Sequence, residues 1–184
     1  MKDVISFMDP PHTLGVAQWQ ALDRVMAIAA FELSGRLCYA NANYLQLFGL
    51  SYEQALGRNH QSFCVPALLA SERYNAVWTD LCAGNAFSGV VERVRSDGSI
   101  CWLDATYSPV FDVQGQVQHI LKIASDITER HAREKAQQEH FYRLSLVADA
   151  SDTAVIISDK DSRIVHVNRG FTRMFGWHNE EALG

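Results

Sequence analysis

The sequence predicts an α+β domain whose helices cover one face of an antiparallel sheet, followed by a long helix and the front part of a second copy of the same domain. Three observations carry this expectation. Short apolar runs bounded by turn residues come in the order two strands, several short helices, three strands. Residues 128–150 are polar and helix-prone. Residues 26–57 and 153–184 align at a constant offset of 127 without a gap.

The elements follow in order. Residues 14–25 place Val16, Trp19, Leu22 and Val25 at helical spacing, an amphipathic helix ahead of the domain. Residues 27–33 and 36–40 are apolar runs separated by Ser34-Gly35, which reads as a hairpin. From Asn41 onward, Tyr44, Leu45, Leu47 and Phe48 make a short helix that stops at Gly49. Ser51 opens another, with Glu53 and Gln54 in its first turn and Gly57 closing it. Residues 70–83 bring Tyr74, Val77, Trp78 and Leu81 to one helical face. Strands are expected over 87–95, 100–111 and 116–127, joined by Ser96-Asp97-Gly98 and by Asp112-Val113-Gln114-Gly115. In 128–150, Ala132, Ala136, Phe141, Leu144 and Ala148 form a broken apolar stripe among mixed charges. Such a helix is either solvated with one apolar side or, over about three heptads, one strand of a parallel coiled coil.

The repeat fixes the organisation. Nine positions are identical between the copies: Ala27/Ala154, Arg36/Arg163, Asn41/Asn168, Phe48/Phe175, Gly49/Gly176, Glu53/Glu180, Ala55/Ala182, Leu56/Leu183 and Gly57/Gly184. A period this long means a duplicated domain rather than a solenoid. The expected layout is an N-terminal segment at 1–25, a first domain at 26–128, a linker helix at 129–150 and the front of a second domain at 151–184. Because the second copy stops early in the pattern of the first, the chain is expected to be a piece of a longer protein.

Composition narrows the function. Hydrophobic residues make up 48% and charged residues 20%, a globular balance. The formal net charge of −5, with no basic run, argues against nucleic acid or an anionic membrane as partner. No signal-peptide pattern and no apolar stretch of spanning length occur, so a cytoplasmic location is expected. Cys38, Cys64, Cys82 and Cys101 include no C-x-x-C pair and read as reduced thiols. No nucleophile–base pair, phosphate loop or metal-ligand cluster is spelled out, so the chain is expected not to be an enzyme. Glu181-Ala182-Leu183 matches the signature of cyclic di-GMP phosphodiesterases, but its counterpart Gln54-Ala55-Leu56 occupies the same element of the first copy and marks it as a helix end.

Several short pieces carry a family resemblance: Ala40-Asn41-Ala42-Asn43, Leu47-Phe48-Gly49, Leu56-Gly57, Arg95-Ser96-Asp97-Gly98-Ser99, Trp102, Ser108-Pro109-Val110-Phe111-Asp112, Gly115 and Asp126-Ile127-Thr128-Glu129. In this order and spacing they resemble the bacterial PAS sensory domains, and the repeat supplies a second match. The resemblance implies a five-stranded antiparallel sheet whose helices enclose a pocket for flavin, haem, a metabolite or nothing. Its ligand-facing positions would be His60, Trp78, Leu103, Tyr107 and Ala124.

Three cofactor readings follow from the resemblance. Gly57-Arg58-Asn59 is similar to the start of the cysteine motif of light-sensing flavin (LOV) domains, but His60 stands in place of the reactive cysteine, Leu103 in place of an asparagine and Ala124 in place of a glutamine. A thiol adduct cannot form at an imidazole, which excludes that photochemistry. His60, Pro66, Trp78, Gly84 and Ser88-Gly89 are similar to the FAD-binding redox sensors of aerotaxis receptors, although Cys64, Val65 and Ala67 replace their polar residues. Haem ranks after FAD, with His60 as its available ligand, and a domain without cofactor stays open. The resemblance further implies a homodimer through the linker helix, the N-terminal helix or both. The second copy is most similar to PAS units that precede cyclic di-GMP cyclase and phosphodiesterase domains, which makes that the expected output. A ligand-free dimerisation module, or an input to a chemotaxis receptor or histidine kinase, is the alternative.

Overall fold

Alternation along three long strands builds the sheet. In the computed structural model, which describes residues 13–150 and 153–183, β4 (Ile100–Phe111) buries Cys101, Leu103, Ala105, Tyr107 and Pro109 and turns the residues between them outward. β5 (Val117–Asp126) does the same with Ile120, Lys122 and Ala124. With β1 (Ala27–Glu32), β2 (Leu37–Ala40) and β3 (Phe87–Val94) they form one antiparallel sheet in the order β2-β1-β5-β4-β3. The expected five-stranded α+β architecture is therefore present. The chain divides into two units, one ending at Glu129 and the other beginning at Arg130.

The first unit opens with α1 (Thr13–Val25). Between β2 and β3 come α2 (Ala42–Phe48), α3 (Tyr52–Ala55), a 3-10 turn over His60–Phe63, α4 (Pro66–Leu69) and α5 (Glu72–Cys82). The 3-10 turn and α4 were not separable in the sequence, being four residues each and too short to show a period. Ser51 caps α3 through a capping box with Gln54. Gly49 ends α2 at φ 65°, a left-handed conformation that glycine adopts at least cost. Tyr44 and Phe48 meet the ring of Phe63 edge to face and each other at a tilt, at centroid distances of 4.7–5.9 Å, and close the core with Phe31, Leu81, Leu103 and Ile120.

Asn41 shows why the repeat keeps an asparagine there. Its Oδ1 accepts the backbone N–H of Tyr44 (2.9 Å), capping α2, and that of Ile28 (3.0 Å), pinning the start of β1. Its Nδ2 donates to the carbonyls of Asp23 (3.0 Å) and Met26 (2.8 Å), where α1 ends. One amide thus joins three elements, and only asparagine offers the two acceptors and two donors in that shape.

The second unit comprises the rest of α6 (Thr128–Asp149), the hairpin β6 (Ile156–Ser158) with β7 (Ile164–Val167), α7 (Arg169–Phe175) and α8 (Asn179–Ala182). Asn168 repeats the arrangement: it accepts from Phe171 (2.9 Å) and Val155 (2.8 Å) and donates to Thr153 (2.9 Å) and to the α6 carbonyl of Ala148 (2.6 Å). The end of α6 therefore stands to the second copy as α1 stands to the first. The helix read as a linker doubles as the leading helix of the next domain. Ala182 ends the short α8, so Glu181-Ala182-Leu183 lies at a helix end as read. Residues 1–12, Ser151, Asp152 and the repeat identity at Gly184 lie outside the described residues.

Candidate functional site

The site forms where α4, α5 and the 3-10 turn meet the outer strand β3. A cavity of about 490 Å³ lies there, walled by Leu68, Tyr74, Val77, Trp78 and Leu81 on the helical side and by Phe87, Val91, Arg93 and Tyr107 on the sheet side, with His60 at its inner end. Its size is that of a small-molecule site. Val90 and Glu92, which alternate to the outer face of β3, reach its rim, so the cavity opens at the sheet edge.

His60 is held by the turn it begins. Asn59 caps that turn by accepting the N–H of Gln61 (3.0 Å). The buried imidazole then lies between Tyr74 and Trp78 on one side and the edge of Phe31 on the other, with ring centroids 5.8, 4.9 and 5.1 Å away. Both ring nitrogens are engaged: Nδ1 is 3.2 Å from the Tyr74 hydroxyl and Nε2 is 3.1 Å from that of Tyr107. Arg93 Nη2 donates to the Tyr107 oxygen at 3.0 Å. Arginine can only donate, so the arrangement using every donor runs Arg93 to Tyr107, Tyr107 to His60 Nε2, and His60 Nδ1–H to Tyr74. The Tyr74 proton is left for the cavity. Burial drives the His60 pKa well below its ordinary value, and the nearby Lys122 and Arg93 charges push it the same way. The ring is neutral at neutral pH.

Behind Tyr107 sits a wholly buried lysine. Register pairs Lys122 on β5 with Tyr107 on β4 and with Ala29 on β1, whose small side chain leaves room. Lys122 Nζ lies 5.2, 5.5 and 5.6 Å from the ring centroids of Tyr107, Phe48 and Tyr44. Three ring faces thus receive the ammonium, whose polar neighbour is the Tyr107 hydroxyl, outside the geometry of a well-formed hydrogen bond. Desolvation lowers its pKa and Arg93 adds to this, while Tyr107 opposes it. Arg93 Nε and the Tyr44 hydroxyl are also buried without a hydrogen-bond partner. Among the described residues, no carboxylate forms an ion pair with Arg93 or Lys122. Burying a charge costs several kcal/mol unless something compensates it.

Three of the five site residues expected from the sequence, His60, Trp78 and Tyr107, line the cavity. Leu103 and Ala124 do not. They lie on the inner strands β4 and β5, shut into the apolar core, while the cavity lies over the edge strand β3. The flavin-facing geometry inferred for that pair is therefore not reproduced. Haem does not fit His60 either, because both ring nitrogens already face tyrosine hydroxyls and the ring is enclosed by aromatic side chains. Cys64 is buried beside His60, with Sγ 3.8 Å from Nδ1, and burial raises its pKa, which keeps it a thiol. Among the described residues, no group of His, Cys, Asp and Glu is placed to hold a metal ion.

Sequence reading missed Arg93, Lys122 and the role of Tyr74. A weak signal existed: Arg93 continues the alternation of Phe87 and Val91, and Lys122 that of Ile120 and Ala124. Apolar Leu121 and Ile123 on the opposite face of β5 blurred which face was inward.

The exit from the sheet is equally well tied. Asp126 Oδ1 accepts the N–H of Thr128 (2.9 Å) at the start of α6, and its Oδ2 pairs with Arg95 Nη2 at 2.7 Å. Arg95 Nε in turn donates to the Leu47 carbonyl near the end of α2 (3.0 Å). Trp102 exchanges hydrogen bonds with this junction, its N–H donating to Thr128 Oγ1 (3.0 Å) and its carbonyl accepting from Ile127 (2.9 Å).

Comparison with known proteins agrees with this architecture. The family described as PAS fold matches residues 23–132, and the one described as PAS domain matches residues 142–184. The chain belongs to the PAS family. It is 36% identical over 161 residues to the biofilm dispersion protein BdlA of Pseudomonas aeruginosa, covering 88% of this chain and 37% of that protein. It is 27% identical over 151 residues to the nitrogen fixation regulatory protein of Klebsiella oxytoca, covering 79% of this chain and 29% of that protein. This PAS chain thus spans about a third of the length of the curated relatives it matches. The crystal structure of a PAS domain from Colwellia psychrerythraea superposes with a TM-score of 0.56 at 27% identity, covering 63% of this chain and 98% of that one. No helix among the described residues is long and apolar enough to cross a membrane.

Proposed function

We propose that this chain is the sensory input region of a bacterial signalling protein, in which the first PAS domain holds a small ligand and α6 carries its effect onward. The observation behind this reading is the joining of cavity to exit. Tyr107, at the cavity wall, lies on β4 and is paired across the sheet with Lys122 of β5. The same two strands supply Trp102 and Asp126, which hold the first turn of α6. A ligand that moves Tyr107 shifts strands already bonded to the helix, and a packed sheet transmits such a shift. The chain supplies input and no catalysis of its own, works in the cytoplasm, and pairs with a second copy through its flanking helices. Cyclic di-GMP turnover is the output assigned to the whole protein, on the likeness of the second copy.

The test is to purify the chain, record its absorption spectrum, and identify co-purifying small molecules by mass spectrometry after denaturation. A bound metabolite released in stoichiometric amount supports the reading. A protein that releases nothing, and whose thermal midpoint no small molecule raises, refutes it.

A further inference from the structure

The cavity carries one chemical demand that its shape does not explain. Arg93, a residue only 4% exposed, lines it with a guanidinium satisfied only by the Tyr107 hydroxyl (3.0 Å) and the Glu92 carbonyl (2.7 Å), while its Nε has no partner. Lys122, with no exposed surface, adds a second positive charge directly behind Tyr107, whose neutral hydroxyl is the polar group acting on it, and it has no carboxylate partner among the described residues. The titratable groups facing these two cations include no carboxylate: Tyr44 from α2, His60 and Cys64 from the 3-10 turn and its end, Tyr74 from α5, and Cys101 and Tyr107 from β4. The acidic residue at the cavity, Glu92, alternates to the other face of β3 from Arg93, and the lining also includes a further cation, Arg73 of α5. Two buried positive charges with no buried negative charge are an electrostatic gap.

We propose that the cavity takes a small organic carboxylate, its apolar body against Trp78, Leu81 and Phe87 and its anionic end turned to Arg93. A carboxylate there completes the fork of Arg93, whose planar donors suit two oxygens. It also accepts the proton that Tyr74 has to spare. Lys122 contributes from behind as a fixed positive field and does not itself touch the ligand. The neutral His60 positions Tyr107 and Tyr74 between them. This inference rests on the reading of the cavity as a ligand site and adds the charge of the ligand.

The experiment uses matched pairs. Acetate, phenylacetate and indole-3-acetate are titrated into the whole chain against acetamide, phenylacetamide and indole-3-acetamide at equal ionic strength, with thermal midpoint and calorimetry as readouts. At least one acid is expected to bind ten-fold or more tightly than its amide, and Arg93→Gln is expected to bring that ratio close to one. Should Arg93→Gln fail to fold, Lys122→Met serves instead, since it removes a buried charge that does not line the cavity; it should weaken the acid several-fold and leave the amide unchanged. Amides that bind as well as their acids overturn the proposal and leave the cavity a site for neutral ligands. If neither acids nor amides bind, the carboxylate proposal is overturned, while the ligand-site reading is decided separately by the release of small molecules from the purified chain.

Discussion

Tyr107→Phe removes one oxygen from the middle of the buried chain and nothing else from the core. That oxygen accepts from Arg93 Nη2 at 3.0 Å and bonds His60 Nε2 at 3.1 Å. A hydrogen bond to a charged group contributes about 1.5–3 kcal/mol and a neutral one about 1 kcal/mol, and both partners are left buried and unsatisfied. The expected loss is about 3 kcal/mol. For a domain of this size each kcal/mol moves the thermal midpoint by roughly 4–8 °C, so the fall should exceed about 10 °C. Tyr74→Phe is the internal comparison: its hydroxyl makes one bond, to His60 Nδ1 at 3.2 Å, and lies at the cavity wall where water can replace it. It should lose about 1 kcal/mol. Urea unfolding followed by tryptophan fluorescence gives both values. A Tyr107→Phe variant that loses no more than Tyr74→Phe refutes the relay as drawn.

Further outcomes are expected. His60 refuses a proton in the folded state, so its stabilising contribution is complete above the unfolded pKa of about 6.5 and drains away as pH falls below it, by about 1.4 kcal/mol per unit; His60→Gln should flatten the unfolding free energy over pH 6.5 to 5 relative to the parent, and an unchanged slope would contradict a buried neutral ring. Asp126→Ala removes the carboxylate that accepts the first backbone N–H of α6 and an ion pair whose side chains are 27% and 39% exposed, so it should cost about 1–2 kcal/mol, mostly through the lost hydrogen bond to Thr128, with a matching loss of far-ultraviolet helical signal. Asn41→Ala should cost about 3 kcal/mol, since it cuts four hydrogen bonds that join α1, β1 and α2; a loss under 1 kcal/mol in urea unfolding would show that the junction is held by other contacts. Ending the chain at Glu129 should lower the oligomeric state in light scattering, and a dimer that persists would move the pairing surface to α1.

Much of the fold was legible because local chemistry fixes it. Turn residues at Ser34-Gly35 and Ser96-Asp97-Gly98 placed the hairpins, and the alternation of 100–111 marked a half-buried strand with the bounds the structure has. The repeat identities gained physical reasons: Asn41 and Asn168 are junction clamps, and Gly49 and Gly176 end their helices in the left-handed region. His60 was singled out because it replaces a cysteine in one resembling motif and matches a histidine in another, and the structure shows what it does there. The four-residue turns around it carried no period to read.

What the sequence determined by itself is the order of elements, the duplication and the PAS family, since patterning, turn chemistry and repeats act over a few residues or recur at one offset. Only the tertiary structure decided the character of the site. Residues 60, 74, 93, 107 and 122 lie far apart along the chain, and no local rule says that an arginine and a lysine on strands will point inward. Sheet register decided it, by setting Lys122 opposite Tyr107 and bringing Arg93 within reach of the same hydroxyl. A strand lysine is ordinarily a surface residue; here two neighbouring strands and three aromatic rings enclose it, and that enclosure places its charge behind Tyr107, where no local pattern would have put it.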